Sequence, residues 1–265
     1  MTQVGLIGTG NMGRALAKGW GQDESFELVG YDVNPNQIQK VAEETGLTIS
    51  QSIKELVLGS DYVVLAVKPQ QMQDLLQQIA PDLQKNQCLL SIAAGIRRET
   101  LAGWSGHTCP VVRIMPNTPA MVGAGVFALC YDDKKLSPEQ KDFLQRLFDN
   151  LGQVQVLREE YFDAFTALVG TGPAYIYYVM DSLIEAGVAM GFPRQQSKEM
   201  IQALLEGSVK MARHSGLSAT ELREMVTSPG GTSSAGMLEL DRRAARSAIV
   251  DAVLAACNRS RELGS

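Results

Sequence analysis

A glycine-rich segment near the start of the chain has the spacing of a dinucleotide-binding turn. Gly8-Thr9-Gly10-Asn11-Met12-Gly13 follows the apolar stretch Val4–Ile7 and opens a segment with helical periodicity. In that context a G-x-G-x-x-G pattern lets the backbone approach a pyrophosphate, which the N–H groups and positive dipole of a helix N-terminus then bind. A glycine-rich corner without any ligand is the structural alternative, and the sequence favours the dinucleotide site.

An acidic residue at the end of the next apolar stretch bears on the choice of cofactor. Asp32 lies about 20 residues after the glycines, where a carboxylate accepts hydrogen bonds from the adenosine ribose hydroxyls. Its charge would repel a 2′-phosphate, which favours NADH over NADPH. Asn34 and Asn36 could still hold a phosphate, and the nearest arginine, Arg14, belongs to the first predicted helix.

Three later segments place small residues and prolines at the ends of apolar stretches. They are Ala66-Val67-Lys68-Pro69, Ser91-Ile92-Ala93-Ala94-Gly95 and Arg113-Ile114-Met115-Pro116-Asn117-Thr118-Pro119. In open α/β sheets ligands bind at the carboxyl ends of strands, so we expect these segments beside the nicotinamide half of the cofactor. Lys68 fits equally well as a solvated loop lysine.

Two segments in the last third of the chain are unusual for a run of helices. They are Gly170-Thr171-Gly172-Pro173-Ala174-Tyr175 and Thr227-Ser228-Pro229-Gly230-Gly231-Thr232-Ser233. The second would present backbone N–H groups and hydroxyls to an anion at a helix N-terminus. Because it contains no basic residue, it suits a carboxylate better than a polyphosphate. A plain loop with a Ser or Thr cap is the alternative.

The composition excludes several other chemistries. His107 and His214 are the only histidines, and the four cysteines form no C-x-x-C pair, so neither a metal cluster nor a histidine-rich acid–base site is expected. The formal net charge of −5 gives no reason to expect nucleic acid. No apolar run reaches the ~18–20 residues of a membrane span and no signal peptide fits, so we expect a cytoplasmic protein with reduced thiols.

Hydrophobic patterning divides the 265 residues into two predicted domains. Residues 1–158 alternate apolar and amphipathic stretches, which predicts an α/β, Rossmann-type domain with a mostly parallel sheet. The predicted strands are Val4–Ile7, Phe26–Tyr31, Tyr62–Val67, Cys88–Ile92, Val111–Met115 and Gly125–Cys130. Residues 159–265 show helical periodicity, which predicts an all-helical domain. Its apolar stripe beside Tyr175, Tyr177 and Tyr178 is either ordinary core or a dimer interface.

Together these motifs resemble the Δ1-pyrroline-5-carboxylate reductase family, in the same order and over essentially the whole chain. The glycine fingerprint is shared with many dehydrogenases, whereas the S-P-G-G-T segment at 228–232 is close to diagnostic. The resemblance implies reduction of 1-pyrroline-5-carboxylate to L-proline with NAD(P)H, the last step of proline biosynthesis. It also implies a homodimer formed through the helical domain, and in some members a decamer.

The resemblance also assigns site residues by position. The cofactor-binding residues it implies are Ile7, Gly8, Thr9, Gly10, Asn11, Met12, Asp32, Asn34, Ala66, Val67, Lys68, Pro69, Ala93, Ala94, Gly95 and Asn117. The substrate-binding residues it implies are Glu159, Gly231, Thr232 and Ser233, the last three holding the substrate carboxylate. No metal is implied. The imine nitrogen must gain a proton, and we expect the substrate to bind protonated or to receive it through water or the hydroxyl of Ser233 or Thr171.

Four positions depart from the family pattern. Ser233 replaces the usual threonine and Thr171 the usual serine, and both keep a hydroxyl. Met225 stands where relatives often carry a polar side chain, which removes a possible hydrogen bond. Asp32 stands where relatives often have a small polar residue or an arginine suited to NADPH. The resemblance therefore favours NADPH, whereas the acidic residue favours NADH.

Two other functions share part of the pattern. A β-hydroxyacid-type dehydrogenase also joins a Rossmann domain to helices, but it needs a lysine base on the first long helix. Residues 170–191 contain neither lysine nor histidine. A non-catalytic NAD(P)-sensing regulator would keep the glycine fingerprint but has no reason to keep the segment at 227–233. We therefore expect the reductase rather than either alternative.

Overall fold

One mixed sheet organises the first part of the chain in the computed structural model, which describes residues 1–21 and 23–263. Its strands are β1 Thr2–Ile7, β2 Phe26–Tyr31, β3 Thr48–Ile49, β4 Tyr62–Leu65, β5 Cys88–Ser91, β6 Val111–Met115, β7 Gly125–Cys130 and β8 Gly152–Val156. The strand order is β3-β2-β1-β4-β5-β6-β7-β8. All neighbours are parallel except β6 and β7. The predicted Rossmann-type class is confirmed.

Seven helices accompany the sheet in the described residues, and some of them begin at capping side chains. They are α1 Asn11–Trp20, α2 Pro35–Thr45, α3 Ile53–Gly59, α4 Pro69–Ile79, α5 Arg98–Trp104, α6 Pro138–Asp149 and α7 Phe162–Phe165. Asn34 caps the start of α2, and Gly46 ends it in the left-handed conformation. Ser137 and Gln140 form a capping box at the start of α6.

The sheet is buried on both faces, which explains why its central strands could be recognised from the sequence. Leu6 of β1 belongs to the apolar cluster around Trp20. The next residue, Ile7, belongs to a second cluster around Met72. Strands covered on both sides carry continuous apolar sequence rather than an alternating pattern.

Two edge strands were not predicted, because they carry no apolar stretch. β3 has two residues and both are exposed, and β8 has the sequence Gly-Gln-Val-Gln-Val with little burial. An edge strand is hydrogen-bonded on one side only and is covered less completely than a central strand. Its residues therefore lack the continuous hydrophobicity that marks β4 and β5.

Five helices follow in the described residues up to Leu263, and the predicted all-helical character of this part is confirmed. They are α8 Gly172–Ala189, α9 Arg194–Ser215, α10 Ala219–Met225, α11 Thr232–Arg242 and α12 Ala245–Leu263. Packing separates a first unit, residues 1–173 with the chain from 256 onward, from a second unit, residues 174–255. This division differs from the predicted one after residue 158, because apolar side chains of α7 pack against β7.

The second unit buries few of its side chains within one chain. Among residues 174–255, all of which are described, those that are buried are Ile184, Gly187 and Ser197. Tyr177 is 56% exposed and Tyr178 is 78% exposed, so their interpretation as ordinary core of the monomer is wrong. Across the described part of the chain, no helix combines the length and hydrophobicity needed to cross a membrane.

The contact between α8 and α9 depends on Gly187. A Cβ at this position would collide with Oγ of Ser197, which donates to the carbonyl of Ile184 at 3.0 Å. Gly187→Val is therefore expected to lower the free energy of unfolding by about 1–3 kcal/mol, because the two helices must move apart. Thermal unfolding followed by circular dichroism measures the change.

Gly103→Ala in α5 is the matched control for this substitution. A Cβ at Gly103 would have no neighbour within 4 Å, so an added methyl group meets open space. We expect this variant to gain up to about 1 kcal/mol from its better helix propensity. Equal melting temperatures for Gly187→Val and the unchanged protein would contradict the close contact.

Candidate active site

The three glycines of the fingerprint occupy structurally different positions. Gly8 has a φ of 96°, and a Cβ there would lie 2.8 Å from the carbonyl oxygen of Ala66. A Cβ at Gly13 would collide with the carbonyl oxygen of Gly8, whereas a Cβ at Gly10 would have no neighbour within 4 Å. Gly8 and Gly13 therefore allow the backbone segments to pack, and Gly10 leaves open space where a pyrophosphate can approach.

The first turn of α1 offers hydrogen-bond donors beside this open space. Gly10 precedes the helix, and no side chain caps its N-terminus. The predicted residues Asn11 and Met12 lie in this turn. Backbone N–H groups at an uncapped helix N-terminus bind anions, aided by the positive end of the helix dipole.

Asp32 holds the glycine turn in place through its carboxylate. Its Oδ2 accepts hydrogen bonds from N of Thr9 at 2.6 Å and from Oγ1 of Thr9 at 2.8 Å. Its Oδ1 accepts from N of Asn34 at 2.9 Å. The amide oxygen of Asn34 accepts in turn from Asn36 and Gln37 at the start of α2. Two predicted cofactor residues, Asp32 and Asn34, are thus fixed next to each other.

A cleft of about 400 Å³ lies at the carboxyl ends of β1, β2 and β4. The predicted cofactor residues that line it are Ile7, Gly8, Gly10, Asp32, Ala66, Val67 and Lys68. Val33, which belongs to none of the predicted motifs, also lines the cleft, and its side chain is 80% exposed. The cleft therefore brings together predicted residues from three separate segments, at the edge of the sheet where ligands bind in α/β folds.

Arg14 is already paired on the surface. Its Nε lies 2.6 Å from Oε2 of Glu44, and its NH2 lies 2.7 Å from Oε1 of the same carboxylate. The guanidinium of Arg14 is therefore engaged in a bidentate ion pair with Glu44. Arg14 was the nearest arginine in the sequence that could bind a 2′-phosphate. Among the described residues that line the cleft, Lys68 is the only cation.

The remaining strand-end segments lie along the same edge of the sheet. Leu65, Ser91 and Arg113 are register partners across β4, β5 and β6, so the residues that follow these strands emerge side by side. The Ala93–Gly95 turn lies in this row, and Gly95 has a φ of 80°. A left-handed backbone at this position favours glycine.

Asn117 uses its side chain within the protein. Its Oδ1 accepts from N of Val126 at 2.9 Å, and its Nδ2 donates to the carbonyl of Val169 at 3.3 Å. The side chain joins the segment after β6 to the start of β7 and to the π-helix Thr166–Gly170. Its predicted contact with the cofactor stays a prediction, and the bonds seen here give it a supporting role.

Glu159 lies in a charged cluster with Arg98 and Arg113, and the sequence did not predict that these three residues are close together. Its Oε1 accepts from NH1 of Arg113 at 2.9 Å and from the backbone N of Arg98 at 2.8 Å. The Arg113 guanidinium also lies 4.8 Å from the centre of the Phe162 ring. Arg113 is a charged residue inside the otherwise apolar strand Val-Val-Arg-Ile-Met, and this is the sequence feature that could have predicted a buried ion pair. Direct contact of Glu159 with substrate stays a prediction, because this carboxylate already has partners.

The segments 170–175 and 227–233 have different local structures. The π-helix Thr166–Gly170 ends where N of Thr171 donates to the carbonyl of Thr166 at 2.7 Å. Gly231 precedes α11, and no side chain caps that helix. Thr232 and Ser233 lie in its first turn, where backbone N–H groups can bind an anion, and their contact with the substrate carboxylate stays a prediction.

The four cysteines lie outside the segments 170–175 and 227–233. All four cysteines are free and buried. Burial raises the pKa of Cys109 to about 11 and that of Cys130 to about 12, so both stay protonated at neutral pH. Within residues 1–21 and 23–263 no group of three or more His, Cys, Asp or Glu side chains could hold a metal ion.

The fold and the cleft define the class of protein, a nicotinamide-dinucleotide-dependent oxidoreductase with a Rossmann domain followed by helices. A family model described as NADP oxidoreductase, coenzyme F420-dependent, matches residues 3–95. A model described as pyrroline-5-carboxylate reductase dimerisation matches residues 159–263. Pyrroline-5-carboxylate reductase of Pisum sativum is 37% identical over 263 residues, which cover 98% of this chain and 95% of the relative.

Other relatives agree. Pyrroline-5-carboxylate reductase of Escherichia coli K12 is 30% identical, with 98% of each chain covered. The crystal structure of Plasmodium falciparum pyrroline carboxylate reductase with NADP bound superposes with a TM-score of 0.91 at 32% identity, covering 100% of this chain and 98% of that one. The chain belongs to the pyrroline-5-carboxylate reductase family. The predicted NAD(P)H-dependent reductase of proline biosynthesis is confirmed, in preference to the hydroxyacid dehydrogenase and the regulator.

Gly10 and Gly13 provide a matched pair for testing the glycine turn. Gly10→Ala is expected to keep the melting temperature and to weaken cofactor binding at least tenfold, because its methyl group enters the open space. Gly13→Ala is expected to lower the free energy of unfolding by about 1–3 kcal/mol, because its methyl group meets the Gly8 carbonyl. Calorimetric titration with NADH and thermal unfolding measure the two effects. Undiminished NADH affinity in Gly10→Ala would contradict this site.

Proposed function

We propose that this chain reduces the imine of 1-pyrroline-5-carboxylate to L-proline at the carboxyl edge of its sheet. The observation that carries the proposal is the cleft between the glycine turn and the start of α4, open at Gly10 and beside an uncapped helix N-terminus. NAD(P)H supplies the hydride when it is bound. The protein contributes by holding cofactor and substrate in contact, which lowers the barrier through proximity.

Each part of the cofactor has a proposed set of partners in this chain. The first turn of α1 binds the pyrophosphate, and Asp32 and Asn34 lie at the adenosine ribose. The segments Ala66–Pro69 and Ala93–Gly95 lie beside the nicotinamide. The small side chains of these segments allow the ring to approach the backbone closely.

The substrate carboxylate is proposed to bind at the start of α11. The N–H groups of Thr232 and Ser233 and their hydroxyls form a site without any basic residue, in which helix-end dipoles stabilise the anion. The segments 170–175 and 227–233 also lack histidine and lysine. The imine nitrogen is therefore proposed to bind already protonated, or to receive its proton through water or the hydroxyl of Ser233 or Thr171.

Ser233→Ala tests the substrate site. We expect the KM for pyrroline-5-carboxylate to rise about threefold to thirtyfold, as for the loss of one hydrogen bond to a charged group, while the KM for NADH stays within twofold. Ser233→Thr keeps the hydroxyl and is expected to behave as the unchanged enzyme. Steady-state kinetics with each substrate varied in turn measures both constants. Unchanged kcat and KM in Ser233→Ala would refute the role assigned to this hydroxyl.

NADH is the proposed preferred cofactor. Asp32 places a carboxylate beside the glycine turn, and the apolar side chain of Val33 follows it. Arg14 is paired with Glu44 and is therefore not free to bind a 2′-phosphate. The Plasmodium falciparum relative has NADP bound in its structure, so cofactor choice would differ between the two proteins.

Asp32→Ser tests the cofactor choice. Loss of the charge is expected to raise the ratio of kcat/KM for NADPH to that for NADH at least tenfold. Asp74→Asn is the matched control, because Asp74 is an acidic residue that lines the same cleft from α4. We expect the control to change this ratio less than threefold. A ratio that moves equally in both variants would attribute the preference to the general charge of the cleft and contradict a specific role for Asp32.

The helical unit is proposed to form a homodimer, with a decamer of five dimers as the larger alternative. The exposed apolar side chains of α8, α11 and α12 are the surface that such an interface would cover, among them Tyr177, Leu238 and Leu254. The four free, buried cysteines fit a reducing compartment, so the enzyme is proposed to be cytoplasmic.

A further inference from the structure

The last turn of α12 packs against the turn that precedes α5. Gly95 has a φ of 80°, and a Cβ built on it would lie 3.2 Å from Cβ of Leu263 and 3.5 Å from the Leu263 carbonyl. Both residues belong to the first unit. The absence of a side chain at Gly95 therefore lets the end of α12 approach the Ala93–Gly95 turn.

A buried hydrogen bond anchors this end of α12. Oγ of Ser260 donates to Oδ1 of Asp163 in α7 at 2.7 Å, and Ser260 is only 5% exposed. Cys257, one turn earlier, is buried as well. Residues three apart lie on the same side of a helix, so Cys257, Ser260 and Leu263 form one docking face.

The segment between the Ala93–Gly95 turn and α5 is fixed at its far end by Glu159. Its Oε1 accepts from the backbone N of Arg98, the first residue of α5. The connection between β5 and α5 is thus fixed at Gly95 by α12 and at Arg98 by Glu159. Asp163, the anchor of α12, lies four residues after Glu159, so both supports arise from the same short stretch of chain.

We propose that the C-terminal turn of α12 positions the Ala93–Gly95 turn against the nicotinamide half of the cofactor. Ser260 and Leu263 are positioning residues, and they act through the loop rather than by touching the reacting atoms. This inference rests on the proposed placement of the nicotinamide beside Ala93–Gly95. Displacing the turn by a fraction of an ångström would loosen the ring and leave the pyrophosphate and adenosine contacts unaffected.

The test compares NADH with ADP-ribose, which lacks the nicotinamide ring, in calorimetric titrations of the full chain in its native oligomer. Ser260→Ala and Leu263→Gly, which removes the Cβ that lies against Gly95, are expected to weaken NADH binding about threefold to tenfold, as for the loss of one neutral contact, and to leave ADP-ribose binding within twofold. Asp163→Asn keeps an acceptor oxygen for Ser260 and is expected to bind both ligands normally. Arg259→Ala is the matched control, since Arg259 is exposed and bonds to Glu262 of the same helix.

Hydrogen–deuterium exchange provides a readout that does not need the cofactor. The peptide that contains residues 93–97 is expected to exchange faster in Ser260→Ala and Leu263→Gly than in Arg259→Ala. Leu263 is 59% exposed, so its variant keeps the test valid even if Ser260→Ala does not fold. Unchanged NADH affinity and unchanged exchange in Leu263→Gly would overturn the proposal, and so would an equal loss of ADP-ribose affinity. Absence of turnover with pyrroline-5-carboxylate would refute the proposed function while leaving these binding comparisons intact.

Discussion

The close approach of backbone segments at the end of β1 determines the shape of the cofactor cleft. Gly8 lies against the carbonyl of Ala66, and Gly13 lies against the carbonyl of Gly8. Side chains at either position would separate α1 from the strand ends. With these glycines in place, the N-terminus of α1 faces the edge of the sheet, and Gly10 is left open to a ligand.

Carboxylates then fix the loops around that edge. Asp32 accepts hydrogen bonds from Thr9 and Asn34, and Glu159 accepts from the backbone of Arg98. A charged acceptor that binds backbone N–H groups orders a loop that has no strand or helix partner of its own. The two acids therefore order two different loops of the proposed cofactor site, one on the adenosine side and one near α5.

Each unit contains one of the proposed binding features. The first provides the cofactor cleft, and the second provides the uncapped start of α11 for a carboxylate. The protein would then lower the reaction barrier mainly by positioning the reactants and by stabilising the carboxylate with helix-end dipoles. This agrees with the absence of histidine and lysine from segments 170–175 and 227–233. The sparse burial of residues 174–255 indicates that the helical unit needs a covering partner surface, in agreement with its match to a dimerisation domain.

The sequence by itself determined the features that depend on neighbouring residues. Six strands were predicted because two-sided burial demands continuous apolar stretches. The glycine turn was predicted because the positive φ of Gly8 and the close contacts at Gly8 and Gly13 require glycine. Only the tertiary structure revealed the contacts between distant residues. The pairing of Arg113 with Glu159, the hydrogen bond of Ser260 to Asp163 and the packing of Leu263 on Gly95 join parts of the chain that no local pattern connects. They arise because the sheet and the returning end of α12 bring those residues together.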